Sequence, residues 1–232
     1  MNKLDDILCF SGGLDSFIAW HYLGKPPTVY FDTRLPHCEK ELRFVTHITE
    51  GEVIIDHSLD FSSEKEIYIP HRNLLFASRA SVYAQKVWIA GIKDDNVEDK
   101  TEIAFDTMTY CLSSIGKEPV VVDSPFWKMT KTQICKWFLQ HKMTEHNKHE
   151  IGDMLNYLSI SCYSGSSDAC HMCESCFRKS CAMFNAGMES FFNNESMVEE
   201  YKNKALNENY VKERNEDIIR YAEWYMDGIK PL

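Results

Sequence analysis

Hydrophobic and polar positions divide this chain into two textures. Over the first two-thirds, apolar runs of four or five residues alternate with longer amphipathic stretches. Ile7 to Phe10 is the first run, followed by the turn Ser11-Gly12-Gly13 and a predicted helix from about Asp15 to Leu23. Further strands are expected at about Thr28–Asp32, Glu52–Asp56, Val87–Gly91 and Pro119–Asp123. Helices are expected at about Glu39–Ile48, Arg72–Lys86, Thr101–Ser114 and Thr130–His141, the last opening with Thr130 and Gln133 at capping-box spacing. Short apolar runs separated by helices mark parallel strands buried on both faces. The pattern therefore predicts an α/β fold built on a doubly wound, parallel, five-stranded sheet.

Beyond Ser161 the pattern changes to a cysteine-rich stretch and then to polar, charged, helix-forming sequence. Ile218, Ile219, Tyr221, Ala222, Tyr225 and Met226 recur at helical spacing, with Gly228 as a natural stop. They predict a terminal helix that packs an apolar stripe on the domain or on a partner subunit. The expected division is an α/β domain over 1–160 and a helical extension over 161–232.

Composition changes this picture in three ways. With 232 residues the chain is long enough to bury a sizeable core without staples. A net charge of −10 argues against nucleic acid as a partner, since phosphate neutralisation needs a basic surplus. The opening residues lack the apolar core of an export signal, and no apolar run is long enough to span a membrane. Nine cysteines without such a signal suggest a reducing, cytoplasmic setting, in which clustered thiols bind metal more often than they pair.

Two groups of residues carry candidate chemistry. Ser11-Gly12-Gly13-Leu14-Asp15-Ser16 lies where the first strand gives way to the first helix. Two glycines there permit a tight turn whose N–H groups point at an anion, and the helix dipole adds to the attraction. Ser11 and Ser16 add hydroxyl donors; Asp15 either holds the loop closed or helps a magnesium ion. The chain contains no GxxxxGK[ST], which excludes a Walker loop. The second group, Cys162, Cys170, Cys173 and Cys176, is spaced C-x7-C-x2-C-x2-C. Four thiolates close a tetrahedron around Zn2+ and leave no open position, so the metal is expected to be structural. The intervening Gly165-Ser166-Ser167-Asp168 is expected to bring Cys162 round; an iron–sulfur cluster and a disulfide pair are the alternatives. Cys9, Cys38, Cys111, Cys135 and Cys181 read as ordinary buried or semi-buried thiols, and His171 as a bystander.

The SGGxDS loop resembles the PP-loop of enzymes that split ATP between its α and β phosphates. Together with the cysteines it resembles the 7-cyano-7-deazaguanine synthase family (QueC, also called ExsB). Ile69-Pro70-His71-Arg72-Asn73 is similar to that family's V-P-G-R-N, and Pro125-Phe126-Trp127-Lys128-Met129-Thr130-Lys131 to its P-L-x-x-x-[SD]-K. Cys176-Phe177-Arg178 with Phe184-Asn185-Ala186-Gly187 is similar to its C-x-x-R…F-x-x-A-G, and Asp32, His37 and Glu41 to a weaker D-Y-G-x-R-H-x-x-E. The resemblance covers roughly residues 5 to 188. It implies a PP-loop fold of the HUP, adenine nucleotide alpha hydrolase-like kind, and a homodimer.

It also implies an ATP-dependent ligase that converts 7-carboxy-7-deazaguanine and ammonia into the nitrile through an amide, on the route to queuosine. Ser11, Asp15, Ser16, Arg72 and Lys131 are the expected catalytic residues. Cys9, Phe10, Ser11, Gly12, Gly13, Leu14, Asp15, Ser16, Asn73 and Gly91 form the expected nucleotide site. Arg72 offers a permanently charged fork for a phosphate or carboxylate. Lys131 is suited to neutralising pyrophosphate. Asn73 either reads a base edge or caps its own helix, and Arg178 either contacts substrate or braces the cysteine knot. His71, standing where the family has a small residue, is given no role.

This chain departs from the family in two places. Lys93 to Thr101 replaces the family's S-G-Y-P-D-C-R, and Asp32-Thr33-Arg34 replaces its Asp-Tyr-Gly. The charged 93–100 loop has the composition of solvated surface, yet its place after a strand puts it by the expected crevice. An acceptor other than the carboxylate, an amide product, a DNA-modification pathway or conjugation to a protein amine are the alternatives this opens.

Overall fold

The structure is a computed structural model that describes residues 3–64, 69–95, 97–164 and 168–227. The described residues divide into two compact units, 1–128 and 129–232. The division falls earlier than residue 160, where the sequence texture changes.

The first unit is a five-stranded sheet. Its elements are β1 (Leu4–Cys9), α1 (Leu14–Tyr22), β2 (Thr28–Phe31), α2 (Cys38–Ile48), β3 (Val53–Asp56), α3 (Arg72–Ala80), β4 (Ala84–Trp88), α4 (Glu102–Ile115) and β5 (Val121–Asp123). The strand order is β3-β2-β1-β4-β5, and every neighbouring pair is parallel. This is the α/β sheet expected from the alternating pattern. Ile7 and Leu8 point to opposite faces and are both fully buried, because helices cover the sheet on both sides. On one face α3 and α4 bury Ala77, Ala80, Phe105, Met108 and Leu112 against Ile7, Val29, Val87 and Val122. Right-handed crossovers assign α1 and α2 to the other.

Most predicted elements appear within one or two residues of their expected limits. The exceptions are the first strand, which starts at Leu4 rather than Ile7, and the helix read over Arg72–Lys86. That helix stops at Ala80, and the next strand starts at Ala84 rather than Val87. Leu4 pairs with Ala84 and Asp6 with Lys86, so the β1 ladder claims residues whose local propensity is helical. The last strand begins at Val121 rather than Pro119, and the Val120 N–H is bonded instead to Ser113 Oγ on α4.

The second unit is helical: α5 (Lys131–Lys142), α6 (Lys148–Leu158), α7 (Glu174–Asn185), α8 (Glu195–Leu206) and α9 (Lys212–Asp227). The capping box at Thr130 and Gln133 is formed. Helix α6 was not foreseen, although Asn147 and Glu150 carry the same capping signature and Ile151 and Leu155 form its buried face. Helices α7, α8 and α9 close an aromatic core around Phe177, Tyr201 and Tyr221, which takes up the Ile218, Tyr221 and Ala222 stripe. Gly228 lies outside the described residues. No described helix is long and apolar enough to cross a membrane.

Just beyond β4, Gly91 admits no side chain: a Cβ there would lie 2.5 Å from the Trp127 ring. That ring is fixed by its Nε1–H donating to Asp123 Oδ1 at 3.1 Å and by edge contact with Phe105. Gly91→Ala is expected to cost about 2 kcal/mol of stability in chemical denaturation, and a smaller side chain at Trp127 to recover part of it.

Candidate functional site

The chain leaves β1 toward β2 and β3, then returns to lay β4 on the other side of β1. The turns after β1 and β4 therefore diverge, and the crevice outside their carboxyl ends is where ligands bind in sheets of this kind. The turn after β1 is the glycine loop. Gly12 has φ +71°, and a Cβ on it would meet Val45 Cγ2 of α2 at 3.2 Å, so conformation and space both require glycine. Gly13 is the N-cap of α1 and supplies no side-chain cap to its first turn. Ser11 Oγ lies 3.2 Å from Ser16 Oγ and accepts from the Gly13 N–H at 3.3 Å. Ser16 Oγ donates to Gly13 O at 3.0 Å. The two hydroxyls thus brace the turn and lie side by side at its mouth, while Asp15 follows in the first turn of α1. Leu14 and Phe10 are buried anchors. Cys9 closes β1, and burial pushes its thiol well above the ordinary range, so it acts as packing beneath the loop.

Arg72 and Asn73 open α3. Asn73 is buried; its N–H donates to Asp99 Oδ2 at 2.9 Å and its Nδ2 to Asp99 Oδ1 at 2.8 Å. Its amide therefore neither caps its own helix nor offers both hydrogens to a base. Instead, Asp99 caps α3 from the charged loop after β4. That loop is not the solvated surface its composition suggests. Asp94 is buried, and the Asp95 carboxylate, 2% exposed, is held by Lys100 at 2.7 Å and accepts from the Ile92 N–H. Asn96 lies outside the described residues. Sequence reasoning missed Asp99, because alternating charges resemble solvent-facing sequence. Ahead of Arg72, His71 adopts φ 60°, ψ 20°, the left-handed region. This explains why a small residue suits the position. His71→Gly is expected to be neutral or up to about 1 kcal/mol stabilising, and His71→Val destabilising by about 2 kcal/mol, read from thermal midpoints.

Around the ends of β2 and β3 lies a polar cluster. Burial opposes the Asp56 charge, but hydrogen bonds from Ser58, the Tyr83 hydroxyl and Arg79 outweigh it and hold the carboxyl at about 2. Asp32 accepts from the Arg34 N–H at 3.1 Å and sits 3.0 Å from His57 Nδ1. On α2, His37, Cys38 and Glu41 bring their side-chain heteroatoms within 4.8 Å of one another. The Tyr30 hydroxyl of β2 is 3.3 Å from Glu41 Oε2. In the sequence His37 and Glu41 stand out only by their likeness to the family's D-Y-G-x-R-H-x-x-E; their separation of one helical turn is the physical signal for the grouping.

In the second unit, Cys162, Cys170, Cys173 and Cys176 converge with their sulfurs within 4.8 Å of one another. Cys170 Sγ and Cys176 Sγ are 4.0 Å apart, close to the ~3.8 Å edge of a tetrahedron with zinc–sulfur bonds of about 2.3 Å. Burial disfavours the Cys162 thiolate. The Ser164 hydroxyl and the N–H groups of Ser164 and Cys170 outweigh that burial and lower its pKa. A four-sulfur cluster with N–H donors can hold a metal ion such as zinc. Residues 165–167, expected to form the connecting loop, lie outside the described residues. His171 points away, with Nδ1 3.2 Å from Phe191 O. Lys131 is the first residue of α5, and Arg178 is half-buried on α7. On the same helix as Arg178, Lys179 donates to Ser159 O at 2.7 Å and Asn156 O at 3.3 Å, tying α7 to the end of α6.

A parallel sheet in this strand order, with a glycine turn after its first strand, defines an α/β protein of the PP-loop type. Residues 36–187 match the family described as queuosine biosynthesis protein QueC, and the chain belongs to that family. Relatives named 7-cyano-7-deazaguanine synthase include one from Methanosphaera stadtmanae, 26% identical over 147 residues and covering 59% of this chain and 58% of that protein. The protein of that name from Phocaeicola vulgatus is 22% identical over 211 residues, covering 76% of this chain and 91% of its own. The one from Methanocaldococcus jannaschii is 26% identical over 159 residues, with 61% and 66% covered. The chain spans little more than half the length of several such relatives, 58% and 54% in two of them. The glycine loop precedes the segment matched by the family.

Cys176→Ser is expected to lose bound metal by elemental analysis and to lower the thermal midpoint, as is chelation of the unaltered protein. Cys111→Ser, at an exposed cysteine that is not one of the four, should change neither.

Proposed function

We propose that this protein is an ATP-dependent carbon–nitrogen ligase that converts 7-carboxy-7-deazaguanine and ammonia into 7-cyano-7-deazaguanine. One observation carries the reading: in a member of the QueC family, a glycine turn braced by two serines opens onto the β1/β4 crevice. Such a turn suits the pyrophosphate of ATP, whose departure accompanies transfer of AMP to an oxygen of the acid. A free carboxylate is a poor electrophile; capped with AMP, its oxygen becomes a leaving group. Ammonia then forms the carbon–nitrogen bond and AMP departs with the electron pair. A second adenylation, on the amide oxygen, permits loss of that oxygen to give the nitrile.

On this reading Ser11, Ser16 and the amides of Gly12 to Ser16 hold phosphate oxygens. Asp15 helps place Mg2+, which neutralises charge on the phosphates when bound. Arg72 binds a phosphate or the acid group, and positioning with charge stabilisation supplies most of the catalysis. The four cysteines hold a structural zinc with no open position for chemistry. Lys131 is assigned to pyrophosphate by resemblance alone. The relatives' shared name supports the acceptor; a homodimer and a cytoplasmic location are part of the same proposal.

A second reading keeps the ATP chemistry but changes the acceptor or stops at the amide. The 93–100 loop favours it, because Asp95 is spent on Lys100 and Asp99 on Asn73.

Incubation of the protein with 7-carboxy-7-deazaguanine, ATP, Mg2+ and ammonium, followed by mass analysis, tests both. Nitrile with AMP and pyrophosphate is the expected product. Amide alone supports the second reading, and no AMP with the acid or the amide overturns both. Asp15→Asn is expected to reduce pyrophosphate release by ~100-fold or more while retaining zinc; an unchanged rate removes Asp15 from the site.

A further inference from the structure

Glu41 is a partly buried carboxyl that the mechanism above leaves unused. It lies on the helix that packs against the glycine loop. Val45 of α2 fills the space beside Gly12, and Phe44 touches the same point. Glu41 precedes Val45 by four residues and lies on the same face of α2, one turn nearer the helix N-terminus. Its Oε2 is 3.3 Å from the Tyr30 hydroxyl, which is also 3.2 Å from Cys38 O.

The charges around it are mixed. Tyr30 faces it from β2, and Asp32, just past that strand, acts on Tyr30; His37 and Cys38 adjoin it at the start of α2, Lys40 acts on it from α2, and Arg72 from the start of α3. Burial raises the Glu41 pKa to about 7; the Tyr30 hydrogen bond and the Arg72 and Lys40 charges moderate that rise. Burial, with the same two cations, lowers His37 to about 4, so its ring is neutral. Burial also drives the Tyr30 hydroxyl far above its ordinary range, so it remains a donor. Two positive charges beside the His37, Cys38 and Glu41 triad disfavour a divalent ion there. The Cys38 thiol, moreover, is already bonded to Thr33 Oγ1 at 3.2 Å. The cluster is better suited to moving a proton than to holding a metal.

We infer that Glu41 is the general base that takes the proton from the nitrogen nucleophile in the ligase reaction. The inference rests on the adenylate reading above. When ammonia adds to the adenylated carboxyl carbon, a carbon–nitrogen bond forms and the carbon–oxygen bond to AMP breaks. The AMP phosphate oxygen keeps the electron pair. The surplus proton on nitrogen passes to the Glu41 carboxylate, which becomes the acid and returns the proton to water. In the second cycle both N–H protons of the amide must leave. One is shed to water as the amide oxygen is adenylated, and the other passes to the same carboxylate as AMP departs with the carbon–oxygen electron pair and the nitrile forms. A base with a pKa near the working pH suits both steps.

The test separates the two halves of the reaction. Acid-dependent exchange of labelled pyrophosphate into ATP reports adenylation, and single-turnover amide formation at constant free ammonia reports the amine step. Glu41→Gln is expected to leave exchange within about twofold and to slow amide formation ~100-fold at pH 7. In the unaltered protein the amine step should rise with pH through an apparent pKa near 7. Tyr30→Phe, which removes a donor to the carboxylate, should move that rise to higher pH. Folding is not expected to mask these results. Glu41 holds its proton more tightly folded than unfolded, so it contributes stability at low pH that is lost as pH rises from 4.5 toward 7. Gln removes that loss, and the variant's thermal midpoint at pH 8 should match or exceed the original. Equal loss of exchange and amide formation, or an unaltered amine step in Glu41→Gln, overturns the assignment. Absence of acid-dependent exchange in the unaltered protein overturns instead the adenylation on which it stands.

Discussion

The parallel pairing of β1 with both β2 and β4 is the constraint on which the first unit depends. Leu8 is opposite Thr28 on one side and Trp88 on the other, and Cys9 is opposite Val29. Hydrogen bonding on both edges fixes where the strand must end. The chain must then turn sharply beneath α2, and Gly12 with its positive φ is what that turn requires. Everything proposed for the loop follows from this placement. The serines face each other because the turn is tight, and α1 presents its N-terminus because the turn leads directly into it.

Packing also links the loop to the rest of the crevice. Val45 and Glu41 belong to one face of α2, so the helix that shapes the glycine turn also carries the carboxyl bonded to Tyr30. Asp99 performs a comparable task for α3. It is the partner of both the backbone and the side chain of Asn73 and thereby fixes the helix start that bears Arg72. The loop after β4 has a different sequence from its counterpart in the family, yet it is anchored at Asp95 and Asp99. Its departure from the family pattern is therefore a structured feature of the crevice.

Much of this was legible in the sequence. Apolar runs bounded by turn residues disclosed the sheet, since a strand covered on both faces has little choice of composition. The glycine loop and the four cysteines were legible because their chemistry tolerates few alternatives in residue type or spacing. What escaped depended on distant partners. Ala84 to Lys86 look helical until β1 claims them. Asp99 and Asp95 look solvated until Asn73 and Lys100 reach them. His71 looks incidental until its backbone angle shows why a small residue suits the site. Helix α6 differs, because its capping pair at Asn147 and Glu150 is a local signal that needs no distant partner.

The most direct measurement of the central claim is a crystal structure of the protein soaked with Mg2+ and an ATP analogue whose α–β bridge cannot be cleaved. The account predicts the β and γ phosphates against the amides of Gly12 to Ser16, with the α phosphate directed into the crevice beside the end of β4. Phosphates located elsewhere, with the glycine turn vacant, would contradict it.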